Sequence, residues 1–133
     1  MAIHNAFISY SHASEDVARA LFDRLEAENV KTFPNPATHG GVWRDQVQKG
    51  LEEAEVVILL LSPEAMRSPS VNFELGVALS RARVENVRVI PVMLPGMKRE
   101  ELPRFLRPYA IIDGNSLSPD QTAEEVAEVV AAA

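Results

Sequence analysis

The chain has 133 residues, 47% apolar and 24% charged, which suits one globular domain able to bury a core of its own. It has no cysteine, which excludes disulfides and thiolate metal sites and is compatible with a reducing compartment. Lys and Arg number 13 against 19 Asp and Glu, a net charge of −6 that argues against a nucleic-acid surface but allows a small anionic ligand held by backbone amides. No basic, long-apolar leader opens the sequence, and the longest apolar run, Val56 to Leu61, is too short to span a bilayer. A soluble, cytoplasmic protein with no membrane or nucleic-acid contact is expected. Residues 1–133 read as a single domain, and the Ala-rich end reads as a junction to further chain.

Ala6 to Tyr10 is a short apolar run and reads as a buried strand. Ser14 is placed to cap the next helix, with Glu15 and Asp16 in its first turn and Val17, Leu21 and Leu25 on one face. Val30 to Phe33 is a second, shorter strand. Residues 34–41, PNPATHGG, form a loop by composition. Trp43, Val47 and Leu51 mark a helix ending near Glu53. Val56 to Leu61 is apolar on both faces, as a central strand between helices should be. Ser68 or Ser70 caps a helix with Val71, Leu75, Ala78, Leu79 and Ala82 on its core face. Val87 to Val92 is the fourth strand, Lys98 to Leu106 a short helix or turn, and Tyr109 to Ile112 a fifth strand. Ser118, Pro119 and Gln121 make a capping box with proline at the first helical position, opening a last helix with Val126, Val129 and Val130 inward.

Strand and helix alternate throughout, the pattern of an α/β fold with a parallel sheet. Five strands in this length fit the flavodoxin-like order 2-1-3-4-5, with helices on both faces. In that order the chain reverses direction across the sheet between strands one and three, and ligands bind at their carboxyl ends. Two segments fall there: Ser9-Tyr10-Ser11-His12, and Ser62-Pro63 with the chain running on to Glu74.

Several chemistries lack their residues. There is no G-x-G-x-x-G after the first strand, no P-loop and no G-x-S-x-G elbow. His4, His12 and His39 have no metal-ligand spacing. A phosphoacceptor receiver domain wants an acidic cluster after strand one and an Asp ending strand three. Here those places hold Ser-His and Leu-Ser-Pro.

The motifs that are present point elsewhere. AFISYSHASED at 6–16 resembles the opening signature of Toll/interleukin-1 receptor (TIR) domains. The second strand, the Gly/Pro-containing loop (the family's BB loop), the VILLLSP strand and the glutamate near the next helix start resemble the rest of that pattern, as does VRVIPVML. The likeness runs from about residue 4 to 132. It implies an NAD⁺-cleaving domain of the bacterial effector type, in which Glu74 takes the place of the family's catalytic glutamate. It further implies NAD⁺ as substrate, no separate cofactor, self-association through the loop at 34–42, a fused or partner sensor, and a role in antiphage defence. The chain departs from the family at Ser70, where many members carry Trp.

One carboxylate suffices for this chemistry. Nicotinamide leaves as a neutral molecule, so little acid catalysis is required, and the charge that develops is an oxocarbenium ion on the ribose. Water as the nucleophile would give ADP-ribose, and an adenine nitrogen would give a cyclic product. Ser9, Tyr10 and Ser11 could supply hydroxyls and backbone donors to ribose or phosphate. Phe33 and Trp43, flanking the loop, could stack on nicotinamide or adenine, and Asp45 could bond a ribose or amide. Each residue also has a plainer reading. Glu74 and Asp45 could be acids complementing a helix dipole, Trp43 and Tyr10 core edge, and Ser11 a helix cap. Two other functions stay open: a non-catalytic interaction module that signals by self-association, and a nucleoside deoxyribosyltransferase-like enzyme.

Overall fold

The computed structural model describes residues 3–33, 50, 52–67, 76, 80, 85 and 87–132. β1 (Asn5–Ser9) is buried from Ala6 onward. A 3₁₀ turn at His12–Ser14 leads into α1 (Glu15–Ala27), which buries Val17, Ala18, Leu21 and Leu25. Ser14 stands at the N-cap but its hydroxyl makes no capping bond. The first turn is instead held by acids: Asp16 Oδ1 accepts from Val17 N at 2.8 Å, and Glu15 pairs with Arg19 at 2.9 Å. The helix stops at Asn29, which takes a left-handed conformation (φ 63°), while Val30 N–H reaches back to Leu25 O at 2.9 Å.

β2 (Lys31–Phe33) follows. β3 (Val56–Leu61) is buried at all six positions, as its unbroken apolar run requires. One helical turn, α2 (Pro63–Met66), comes directly after it. Ser62 Oγ accepts from Ala65 N at 3.1 Å and Pro63 occupies the first helical position, so local capping chemistry accounts for the turn.

β4 (Arg88–Met93) carries Pro91 in its interior. Arg88 N–H donates to Glu55 O and Leu94 N–H to Leu61 O, so even-numbered residues donate toward β3. The N–H that Pro91 lacks would point to the other edge, and no β3 ladder bond is lost. Two 3₁₀ turns, Arg99–Glu101 and Arg104–Leu106, stand where a short helix or turn was expected. β5 is only Ile112–Asp113, later and shorter than the Tyr109–Ile112 strand expected, because Tyr109 N–H is engaged by Leu106 O in a turn. α3 (Pro119–Ala131) has both bonds of its capping box, Gln121 N to Ser118 Oγ at 3.2 Å and Ser118 N to Gln121 Oε1 at 2.9 Å. Val126 and Val130 are buried and Val129 is half-buried.

The five strands form one parallel sheet in the order β2-β1-β3-β4-β5. Side chains alternate across it and divide the core in two. Ala6, Ile8, Ile58, Leu60, Ile90 and Val92 pack under α1 and α3. Phe7, Phe33, Val57, Leu59, Val89 and Met93 form the core of the opposite face. Among the described residues no helix is long and apolar enough to cross a membrane.

Gly76 is helical and exposed, and a Cβ built on it meets nothing within 4 Å. Gly76→Ala should therefore stabilise the fold by about 0.5–1 kcal/mol, the ordinary helix preference of Ala over Gly. A denaturant midpoint that falls would contradict this.

The loops after β4 and β5 are joined through Asn115. Its Oδ1 accepts from Gly96 N at 3.0 Å, and its Nδ2 donates to Met97 O and to Asp113 Oδ1, both at 2.9 Å. The Asn115 side-chain bond, seconded by its backbone N–H, holds the exposed Asp113 carboxyl below its ordinary pKa. The folded value being the lower one, this contribution is complete above the ordinary carboxylate range and is lost as pH falls through the lowered value. Asn115→Ala should return the Asp113 titration, followed by NMR, toward the ordinary range.

Candidate functional site

In the observed strand order β1 lies between β2 and β3, so the chain's direction of progress across the sheet reverses between β1 and β3. The register pairs Ser9 with Leu59, and β3 continues past the end of β1 to Leu61. Ser9, Tyr10, Ser11, Ser62 and Pro63 therefore gather at the carboxyl end of the sheet, at the reversal.

Their side chains are used differently. The hydroxyl of Ser62 is taken up in capping α2. Ser9 is buried, yet its Oγ has no hydrogen-bond partner, and the Oγ of Ser11 is likewise buried and unbonded. An unbonded buried hydroxyl costs about 1–3 kcal/mol. Two of them, two residues apart at a strand end, are donors left without a partner among the described residues. Ser9 follows Phe7 in the alternation of β1 and so points to the face of the Phe7 core, away from α1. Tyr10 goes the other way: it is half-buried and packs against the α1 and α3 core. The structure thus separates Tyr10 from Ser9, although the two are adjacent in sequence.

Phe33 is 5% exposed, belongs to the Phe7 core, and lies directly beneath helical Gly50. A ring so placed packs as part of the sheet core. Glu74, Trp43 and Asp45 lie outside the described residues, as do the loop at 34–42 and Ser70.

Sequence reasoning missed a recess of about 250 Å³ at the same end of the sheet but on its α1 side, lined in part by Ser14, Asp16, Ser62, Glu64 and Thr122. It gathers none of the expected ligand-binding residues. Two carboxylates at its wall oppose a phosphate, which leaves the Ser9 side of the strand ends as the better place for an anionic nucleotide. The only cue to this recess in the sequence is the acid at the start of α1 and the one after Ser62-Pro63. Their approach depends on the sheet. Among the described residues no three His, Asp or Glu side chains come together as a metal would require.

Comparison with known proteins is consistent with this geometry. The chain is 33% identical over 105 residues to NAD(+) hydrolase ApTIR of an Actinoplanes species, matching 70% of this chain and 14% of that protein. It is 30% identical over 115 residues to a stimulator of interferon genes protein of Magallana gigas, matching 84% of this chain and 28% of that one. The chain therefore spans less than a third of the length of either relative. Among solved structures, the TIR domain of the Toll-related receptor TRR-2 from Hydra magnipapillata superposes with a TM-score of 0.66 at 22% identity, covering 94% of this chain and 90% of that one. At that identity the likeness concerns the fold, and the fold it shares is the parallel sheet seen here. A family model described as TIR domain matches residues 6–130, from the first core residue of β1 to the last turn of α3, and the chain belongs to the TIR domain family.

Proposed function

We propose that this TIR domain cleaves NAD⁺ between nicotinamide and ribose, with Glu74 as the catalytic carboxylate. The observation that carries the reading is its 33% identity to a protein named as an NAD(+) hydrolase, over 70% of this chain. The unbonded hydroxyls of Ser9 and Ser11 at the strand reversal support it, since a ribose or pyrophosphate offers the partners they lack. In this reading the carboxylate stabilises the oxocarbenium ion as neutral nicotinamide departs, and no cofactor takes part. Trp43 and Asp45 would flank the ligand. Activity would depend on assembly through the loop at 34–42, and the domain would serve as the effector of a longer antiphage chain with its own sensor.

Concentrated or tethered protein incubated with NAD⁺ should release nicotinamide, with ADP-ribose or its cyclic form as the second product. Absence of both products in every assembled state would end this reading.

Ser9→Ala offers a second check. Removing a buried hydroxyl that no protein group bonds should leave the melting temperature unchanged or raise stability by up to about 1 kcal/mol. The KM for NAD⁺ should rise because a ligand partner is gone. A loss of stability with an unchanged KM would make Ser9 structural.

A second reading is a non-catalytic module that signals by self-association. Its support is the 30% identity to a protein named for stimulating interferon genes rather than for hydrolysis. Signalling unaffected by Glu74→Gln would favour it.

A further inference from the structure

The recess of about 250 Å³ on the α1 side of the strand ends takes no part in the proposed reaction. It opens where α1, α2 and α3 begin, and two kinds of polar group line it. The first is hydroxyl. Ser14 and Thr122 are 4% and 1% exposed. Both line the recess, and among the described residues no hydrogen bond reaches either hydroxyl. Neighbouring Ser62 differs, since its hydroxyl is taken up by Ala65 N–H. A hydroxyl set into a wall without a protein partner keeps its donor and its acceptors for whatever fills the space.

The second kind is carboxylate. Asp16 and Glu64 are exposed at the recess on different helices. Asp16 uses only Oδ1, on Val17 N–H, and the Glu64 carboxylate makes no bond among the described residues. No Lys, Arg or His is found among the described residues that line the space. His12 and Arg19, close to Asp16 in sequence, pair with Glu15 instead. The starts of α1 and α3 each supply roughly half a positive elementary charge. Set against two carboxylates, that leaves about one negative charge unanswered, in a chain whose net charge is already −6. The rest of the lining includes apolar Val17, Leu94 and Leu117.

We infer that this recess binds a small aliphatic ammonium ion. An ammonium group has three N–H donors, which two carboxylates and one hydroxyl satisfy. Its single positive charge matches the charge left over, and its carbon chain covers the apolar lining. The volume is below the roughly 300–1,000 Å³ of sites for drug-sized ligands, so the chain is short. A divalent metal fits worse: calcium takes six or more oxygen ligands, and no third carboxylate or imidazole joins these two among the described residues. A phosphate is repelled by both acids. The site is independent of Glu74 and of NAD⁺ cleavage.

The test is a titration of the chain with n-butylammonium chloride at low ionic strength, followed by amide NMR. Saturable shifts should appear at Ser14, Val17, Ala65 and Thr122, on three helices far apart in sequence. 1-Butanol, of the same shape without the charge, should give no saturable shift. Glu64→Gln should weaken binding at least fivefold, and Asp23→Asn, which removes a charge from α1 outside the recess, should leave it unchanged. Thr122→Val keeps the shape of the side chain and removes the hydroxyl. It should weaken binding at least threefold with the melting temperature unchanged, because no described group bonds that hydroxyl. Absence of saturation, equal binding of 1-butanol, an equal loss with Asp23→Asn, full affinity in Thr122→Val, or tighter saturation by magnesium would each overturn the inference.

Discussion

Glu74→Gln should lower the rate of nicotinamide release from NAD⁺ by roughly 100- to 1,000-fold, the usual cost of deleting one group aimed at transition-state charge. The substitution keeps the shape and hydrogen-bonding reach of the side chain and removes only its negative charge. The proposed reaction depends on that charge, because nicotinamide leaves neutral and the positive charge is left on the ribose. Binding should suffer far less, so the loss should appear in kcat with KM little changed. Glu74→Asp keeps the charge but withdraws it by one methylene, and should fall between the two. If Glu74 were instead an acid complementing a helix dipole, Gln would cost about 0.3–1 kcal/mol of stability and leave turnover intact. Equal turnover by the Gln variant and the unmodified protein would remove Glu74 from the mechanism.

Gly50→Ala should destabilise the fold by about 1–3 kcal/mol. A methyl group at this position would overlap Phe33 Cβ and lie 2.8 Å from Phe7 Cδ2. Phe33 Cβ is fixed to the backbone of β2 and cannot swing aside, so relief requires the helix to move off the sheet. Ala gains up to about 1 kcal/mol in helix preference, which is too little to offset the overlap. Gly50→Ala and Gly76→Ala are thus the same substitution in helical surroundings with opposite expected signs. Chemical denaturation of the pair measures tertiary contact directly, and a stabilised Gly50→Ala would show that the helix does not sit on Phe33 as described.

Much of the fold was legible in local pattern. The unbroken apolar run at Val56 to Leu61 announced a central strand, and all six residues are buried. The Ser118 capping box formed with both of its bonds. Errors arose where a local rule had a competitor. Ser14 occupies its cap position without bonding: a 3₁₀ turn precedes the helix, and Asp16 accepts from Val17 N–H, an amide that a capping Ser14 would have taken. The fifth strand was placed too early because Tyr109 to Ile112 has strand-like residues, yet its first amide closes a turn.

The candidate site was legible only in part. Alternation along β1 says that Ser9 and Tyr10 point to opposite faces, but it does not say which core each face meets. That required the neighbours of β1. Phe33 shows the same limit: an aromatic beside a loop could be ligand stack or core. Its packing beneath Gly50, a residue 17 positions away with no side chain to advertise the contact, is visible only in the structure.

Among the described residues the sequence by itself determined the order of the strands, the first and last helices and the Ser118 capping box, since each depends on groups within a few residues of one another. It also carries the carboxylate at Glu74 that the proposed chemistry requires. Only the tertiary structure decided which strands are neighbours, which hydroxyls are left unbonded, and whether a given glycine is needed. Those outcomes depend on distances between segments far apart in the chain, and local propensity does not encode such distances.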